Sequence, residues 1–203
     1  MKKINLLIVI LLLFGFQSVY SQQGYTATKV FGKEQLAVRD LRSSAIAGSI
    51  GWNGLSGVGV SFRIYPTTKV GVEAGLGLAS TGFKLGVRGK YLFSDKNFTP
   101  VVGAGFLYGT GSSLDITYDA TSSQPEYTYQ VKASPFLQIV GGFEYMSNGG
   151  FLIGFDAGYA ALLNGTNYVI TSGSPTKETL TAMDIALGSG IVLDITIGFA
   201  FGR

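Results

Sequence analysis

The chain has 203 residues, of which 46% are hydrophobic and only 13% charged, and 30 of them are glycine. Charge this sparse is unusual for a soluble domain, and the 15 basic and 12 acidic residues form no basic stripe that would favour nucleic acid. Cysteine and histidine are both absent, which excludes disulfides, thiolate metal sites and histidine-based catalysis.

Residues 1–21 predict a cleaved signal peptide. Lys2 and Lys3 form a positively charged start, and an almost unbroken apolar run follows from Leu6 to Phe16. Small residues then precede the expected cleavage after Ser21. An uncleaved membrane anchor is the alternative, but the run is too short to span a bilayer comfortably as a helix. Without the two lysines, 13 basic and 12 acidic residues are left, so we expect an exported and nearly neutral protein.

Residues 22–42 do not alternate and are predicted to form a periplasmic N-terminal extension. Charged residues, among them Arg39, surround Leu36, Val38 and Leu41 in this stretch. A short helix or an unstructured lead is the favoured interpretation. A plug or a partner-binding segment is the alternative.

Beyond this extension, residues 43–203 alternate with period two between bulky apolar residues and small or polar ones, a pattern typical of β-strands. Turn residues divide the region into eight predicted strands. Three of the connections are short and rich in Pro, Asp, Asn and Gly, whereas two others are long, roughly 111–134 and 163–189. The predicted strands cover residues 44–52, 55–64, 70–79, 82–93, 100–110, 135–146, 151–162 and 190–201.

The distribution of charge within the strands indicates which face meets lipid. No segment after residue 21 reaches the roughly 20 apolar residues of a membrane helix, and a closed barrel is the other way to cross a membrane. When each strand is oriented by its bulky apolar residues, every strand charge falls on the opposite face. A charge facing lipid near the midplane costs roughly 2–4 kcal/mol. We therefore predict an all-β fold, a single closed antiparallel transmembrane β-barrel; a soluble barrel or sandwich with the apolar face inside is the alternative.

The inward face carries a predicted lumen charge network of four basic and four acidic residues. Because an eight-stranded barrel is filled by its side chains, a neutralised network that closes the lumen is the favoured interpretation. A narrow channel or a small-ligand site is the alternative, since the many inward glycines leave room. The network comprises Arg63, Glu73, Lys84, Arg88, Lys90, Glu144, Asp156 and Asp194.

Aromatic residues are predicted to gather at both ends of the strands, where amphipathic rings settle at headgroup depth. The ends joined by short turns are expected to face the periplasm. These ends carry Tyr91, Phe93, Tyr145, Phe151, Phe199 and Phe201, and the opposite ends carry Trp52, Phe83, Tyr108 and Tyr159.

The two long connections alternate as well, notably at 114–118, 127–131 and 180–187. We expect strands in these stretches that project beyond the membrane as extracellular hairpins. Their open edges offer backbone donors and acceptors to an extracellular protein partner. Shielding of the barrel mouth is the alternative.

The signal peptide, the glycine-rich alternating strands and the ending Ile197-Gly198-Phe199-Ala200-Phe201 resemble the small bacterial outer-membrane β-barrel families, the OmpA-like and OmpX-like barrels, over about 44–203. The stretch Val19-Tyr20-Ser21-Gln22 is similar to signal peptides of Bacteroidetes. The resemblance implies the outer membrane of a Gram-negative bacterium, contact with lipid and lipopolysaccharide, and insertion by the barrel-assembly machinery. It implies a structural or interaction role without enzymatic activity or cofactor. A narrow porin or a transporter of small hydrophobic solutes, similar to OmpW-like barrels, is the alternative.

Overall fold

The computed structural model describes residues 28–30, 33–120 and 125–202. The chain divides into two compact units, Met1–Ala37 and Val38–Arg203. In the first unit, β1 (Thr28–Val30) and β2 (Lys33–Gln35) pair as an antiparallel hairpin. The predicted signal peptide, its cleavage site and the Bacteroidetes-like stretch lie outside the described residues.

The second unit begins with a single helical turn, α1 (Val38–Leu41), and continues as a closed barrel of eight antiparallel strands. Each barrel strand pairs with the next one along the chain, and the last pairs with the first. The prediction of a closed antiparallel barrel of about eight strands is therefore confirmed. Its strands are β3 (Ser44–Trp52), β4 (Val58–Thr67), β5 (Val70–Ala79), β6 (Gly82–Leu92), β7 (Phe98–Gly109), β10 (Ser134–Met146), β11 (Phe151–Leu162) and β13 (Gly190–Phe201).

The two ends of the barrel differ in their connections. At one, the short-turn end, residues 68–69, 93–97 and 147–150 join neighbouring strands. The other, the long-loop end, carries the external layer, which consists of a three-stranded antiparallel sheet and a helix. The sheet has the order β12 (Tyr168–Gly173), β9 (Tyr127–Val131), β8 (Ser112–Tyr118), and the helix is α2 (Lys177–Leu187). No helix in the described ranges is long and apolar enough to span a membrane.

Residues 180–187, expected to belong to a projecting hairpin, form most of α2 instead, so that prediction was wrong. The segment from Lys177 contains no glycine or proline, and Thr176 caps it by accepting a hydrogen bond from the Thr179 amide. Met183 and Leu187, four residues apart, form its buried stripe. The helix cap and the four-residue spacing of the buried side chains favour a helix more strongly than the short apolar alternation favours a strand.

Residues 55–57, expected at the start of a strand, belong to the inner loop, which we define as residues 53–57 between β3 and β4. Asn53 and Gly57 at its two ends have positive φ angles of 52° and 67°. These turns direct Leu55 and Ser56 into the lumen, where both are almost fully buried. The loop therefore fills space that the sequence alone left open.

The outer wall is apolar, as the choice of strand faces predicted. On β13, the outward residues Ile191, Leu193, Ile195, Ile197 and Phe199 are 45–65% exposed, whereas the intervening Asp194 and Thr196 are 1% exposed. The other barrel strands alternate in the same sense. The apolar face is thus the outer face, and the alternative with this face inside does not hold.

The lumen is packed in layers. An apolar layer near the short-turn end contains Tyr65, Leu92, Met146 and Leu152, together with Val38 of α1. A second apolar layer near the long-loop end contains the inner-loop residue Leu55 together with Leu107, Phe136, Val140, Ala160 and Val192. Along the strands, the buried charged positions lie between these two layers, except for Lys84, which lies beside Phe136.

Candidate functional site

All eight residues of the predicted lumen charge network point inward and are at most 4% exposed. The barrel register brings three of them into one row, because Glu73 is the Cα partner of Arg63 on β4 and of Arg88 on β6. Directly opposed residues on neighbouring strands project to the same face. Within this set, direct ion pairs join every member except Lys84.

Glu73 is the link between β4 and β6. Its Oε1 atom accepts from Arg63 Nη2 at 2.6 Å, and its Oε2 atom accepts from Arg88 Nη2 at 2.9 Å. The Lys90 ammonium lies 3.6 Å from the same Oε2 atom. Both carboxylate oxygens therefore have cationic partners, which compensates for the loss of water on burial.

A second group of ion pairs crosses the lumen. Asp156 and Asp194 are Cα partners on β11 and β13, so two like charges stand directly opposite each other. Arg88 Nη2 lies 2.9 Å from Asp156 Oδ2 and 3.5 Å from Asp194 Oδ2. Lys90 Nζ donates to Asp156 Oδ2 at 2.6 Å. The two β6 cations thus offset the repulsion between carboxylates on the facing wall.

Arg39, which sequence reasoning left out of the network, enters the lumen from α1 at the short-turn end. Its Nε and Nη2 atoms donate to Glu144 Oε1 at 3.2 and 3.0 Å, and its Nη1 atom donates to the Lys96 carbonyl at 3.0 Å. Arg63 Nη1 and the Tyr65 hydroxyl complete the shell of Glu144 at 2.6 and 2.9 Å. In the sequence, the spacing of the apolar residues around Arg39 indicated a short helix, but it did not indicate where that helix docks.

The inner loop is tied to the network from the long-loop side. Gln138 accepts from Arg88 Nη1 at 3.2 Å and donates to the Asn53 carbonyl at 2.8 Å. The Leu55 amide donates to Asp194 Oδ2 at 3.4 Å. The sequence did not identify Gln138 or the inner-loop backbone as partners of the network, because these contacts depend on a loop whose residues do not follow the strand alternation.

Lys84 differs from the other members. Its side chain is buried, it forms no ion pair with any described residue, and its ammonium lies 5.6 Å from the centre of the Phe136 ring. A cation over an aromatic face gains from the ring quadrupole. Among the described residues, the lumen holds the five cations Arg39, Arg63, Lys84, Arg88 and Lys90 against the four acids Glu73, Glu144, Asp156 and Asp194.

This arrangement favours a filled lumen over a chemical site. The charges other than Lys84 are engaged with one another, and apolar layers cover them on both sides. Among the described residues, no group of three or more His, Cys, Asp or Glu side chains could hold a metal ion. The carboxylates are used in ion pairs, so we find no general base positioned beside a nucleophile in the described lumen.

The ten aromatic residues predicted for the two girdles all lie on the outer wall and are 38–62% exposed. Several contact each other: Tyr91 and Phe93 meet edge to face at 5.2 Å, and Phe151 and Phe199 at 6.1 Å. Phe98 stacks on Phe143 at 5.4 Å, a pair that the sequence reasoning did not assign to a girdle. The ten are Trp52, Phe83, Tyr91, Phe93, Tyr108, Tyr145, Phe151, Tyr159, Phe199 and Phe201.

The external layer has its own small core. Tyr127, Tyr129 and Val131 of the central strand pack against Met183 and Leu187 of α2. The Tyr168 hydroxyl donates to Asp184 Oδ1 at 2.8 Å. Partial burial, together with this hydrogen bond, raises the pKa of Tyr168 to about 12.

The opposite face of the external sheet is polar. Thr117 and Thr128 share a hydrogen bond of 3.0 Å, and Gln130 donates to Asp115 at 2.9 Å. β8 and β12 are the outer strands, and each pairs only with β9 among the described residues. The layer therefore presents two open strand edges.

No protein-family model and no curated protein matches the chain. Among solved structures, the crystal structure of the N-terminal β-barrel domain of Pseudomonas aeruginosa OprF is similar to it, with a TM-score of 0.43 and 15% sequence identity. The alignment covers 78% of this chain and 98% of that chain.

Proposed function

We propose that this protein is an integral outer-membrane β-barrel with a closed lumen, and that it presents the external layer at the surface of a Gram-negative cell. In this proposal the short-turn end faces the periplasm and the long-loop end faces outward. The observation that carries it is the separation of the two faces: the outer wall is apolar, and the strand charges point inward.

The outer wall supports the membrane location. Apolar patches on soluble monomers rarely exceed a few hundred Å², whereas here exposed aliphatic and aromatic side chains continue around the whole barrel. A closed barrel also satisfies its backbone hydrogen bonds internally, as the bilayer core demands. Rings at both strand ends suit the two headgroup regions. Outer-membrane lipid and lipopolysaccharide are thus the expected surroundings, with insertion by the barrel-assembly machinery.

The lumen supports a closed barrel and not a pore. Opening a water-filled path would require separating several buried ion pairs, and leaving one buried charge without its partner costs roughly 3–5 kcal/mol. Arg39 and the inner loop add contacts at both ends of the network. The narrow porin and the hydrophobic-solute transporter are therefore the less favoured functions.

The external layer supports an interaction role. It has its own packed core, so its shape does not depend on a partner. Strands with an open edge bind extended peptides by adding a strand, with backbone hydrogen bonds supplying affinity. The proposed partner is an extracellular protein that pairs with the edge of β8 or β12. The proposal includes no enzymatic reaction, cofactor or nucleic acid.

Cell fractionation and protease treatment of intact cells test this proposal. We expect the protein in the outer-membrane fraction, with faster gel migration before boiling than after it. Protease added to intact cells should cut in the external layer, while the barrel strands on either side of each cut stay uncut and associated. A control with Val87→Arg, a charge on the outer wall, should lose the heat-dependent migration. Recovery of the wild type as a detergent-free soluble monomer would overturn the proposal.

A further inference from the structure

The outer wall has two apolar recesses, one lined by Leu76, Leu85 and Phe106 on β5, β6 and β7, and one that also reaches β10. Strands β5, β6, β7 and β10 border a shallow apolar groove, which we term the wall groove. Gly89 and Ala104 are Cα partners and form its floor. Outward side chains of larger residues form its margins, namely Val70, Tyr91, Val102 and Ile139.

The packing of the barrel does not require a glycine at position 89. A Cβ atom at Gly105 would lie 2.6 Å from the Val87 carbonyl oxygen, whereas a Cβ atom at Gly89 would meet nothing within 4 Å. Glycine in a strand interior loses backbone entropy and contributes no side-chain packing. The outward glycines Gly48 and Gly141 are similarly open, with the nearest atom 3.9 Å from an added Cβ. Gly89 differs from them because it lies on the floor of a groove, where there is room for an acyl chain from outside along the wall.

Positive charge flanks the wall groove at the short-turn end. Lys69 directly precedes Val70 at the margin, and Lys96 lies in the turn between β6 and β7. Both are exposed, and in the described part of the chain neither ammonium group forms an ion pair or a hydrogen bond. Asp95 is the only acid in these two turns and is half-buried. The rim of the groove is therefore suited to an anionic group.

Tyr91 and Phe93 indicate at which depth of the bilayer this rim lies. Both rings are exposed on the outer wall and contact each other edge to face at 5.2 Å. Aromatic rings of this kind settle at the headgroup level of a bilayer, and the Tyr91 hydroxyl can donate a hydrogen bond there. The lysines thus lie at headgroup depth, and the floor at Gly89 lies toward the hydrocarbon.

We propose that the wall groove binds one anionic phospholipid, with an acyl chain along Gly89 and Ala104 and its phosphate between Lys69 and Lys96. This inference rests on the proposed membrane location. A second copy of the chain is a poorer occupant, because a two-fold interface would bring two sets of the same lysines together at one rim.

Native mass spectrometry tests the site. The full chain is inserted into vesicles of equal parts phosphatidylglycerol and phosphatidylcholine, heat-dependent gel migration verifies insertion, and extraction in mild detergent precedes the counting of bound phospholipids by mass. Gly89→Leu fills the groove. Gly48→Leu is the matched control, because Gly48 is another outward glycine where the nearest atom to an added Cβ is 3.9 Å away. Lys69→Gln with Lys96→Gln removes the rim charge.

We expect the wild type and Gly48→Leu to retain one phosphatidylglycerol per barrel. Gly89→Leu should retain less by about threefold, the effect of losing a handful of van der Waals contacts. The double lysine variant should lose the preference for phosphatidylglycerol. Equal retention by the two leucine variants, or no headgroup preference in the wild type, would overturn the inference. A two-barrel mass that Gly89→Leu abolishes would also overturn it, in favour of an interface between copies. A chain that fails to insert would overturn the proposed function itself.

Discussion

Replacing Glu73 by glutamine should lower the free energy of unfolding of the barrel by about 3 kcal/mol. Glu73 is 1% exposed, and its carboxylate pairs with Arg63 at 2.6 Å and with Arg88 at 2.9 Å. Removing one partner of a buried pair costs roughly 3–5 kcal/mol. We expect the lower end of this range, because Arg63 keeps Glu144 and Arg88 keeps Asp156.

Urea titration in detergent micelles measures this change, with the loss of heat-dependent gel migration as a second readout. The second variant combines Glu73→Gln with Arg63→Met, which removes one of the two arginines that lost the Glu73 carboxylate and keeps most of the side-chain volume. We expect it to recover part of the lost stability, because a coupled pair is not additive. If Glu73→Gln unfolds at the wild-type urea concentration, water must solvate the arginines, and the packed charge network is refuted.

Three further predictions concern Arg39, the two faces of the barrel wall and Tyr168. Arg39→Ala should lower the free energy of unfolding, measured by urea titration, by about 1–3 kcal/mol. This is less than the effect of Glu73→Gln, because Glu144 keeps its contacts with Arg63 and Tyr65. A loss larger than that of Glu73→Gln would contradict this ranking. Val87→Arg should block insertion into vesicles, because it places a charge on the outer wall. The inward variant Ser61→Ala should insert normally, because Ser61 Oγ is buried without a hydrogen-bond partner that the change would remove. Equal behaviour of the two variants would refute the assignment of faces. The pKa of Tyr168 is about 12 in the folded layer, against about 10 for an unfolded tyrosine. The contribution of the protonated phenol to the stability of the external layer is therefore complete below pH 10 and should fade as the pH rises towards 12. Tyr168→Phe should remove one late-titrating phenol from ultraviolet titration, and an unchanged titration would count against the Asp184 hydrogen bond.

The barrel strands could be predicted from the sequence because their period-two pattern and their burial have the same physical cause. The strands over 44–52, 70–79, 151–162 and 190–201 have the predicted bounds. In each strand the residue type at a position depends on whether it faces the outside of the barrel or the lumen. Local composition therefore carries the information, and register follows from the requirement that charges point inward.

The sequence favoured a lumen filled by the charge network, but it did not reveal the inner loop or Arg39, because their contacts are distant in sequence. Inward glycines left the channel alternative open, but a Cβ atom at Gly75 or Gly86 would lie 3.0 or 2.6 Å from Leu55. These glycines make room for the inner loop and not for a pore. Similarly, Arg39 and Glu144 are 105 residues apart and meet only because α1 docks at the short-turn end.

The helix α2 was missed for a different reason. Its short stretch from Leu180 to Leu187 has apolar residues at positions that fit either a strand or a helix, and short apolar runs do not distinguish the two. The cap at Thr176 and the absence of glycine and proline from Lys177 to Leu187 decide for the helix.

Single-channel recording in planar lipid bilayers tests the central claim, that the charge network and the inner loop close the lumen. The purified wild-type barrel, shown by heat-dependent gel migration to be folded, should insert without stepwise current. We expect this because five cations, four acids and two apolar layers are packed inside the barrel among the described residues. Stable current steps from the wild type, with an ion selectivity that shifts in Glu73→Gln, would contradict the closed lumen and establish a pore.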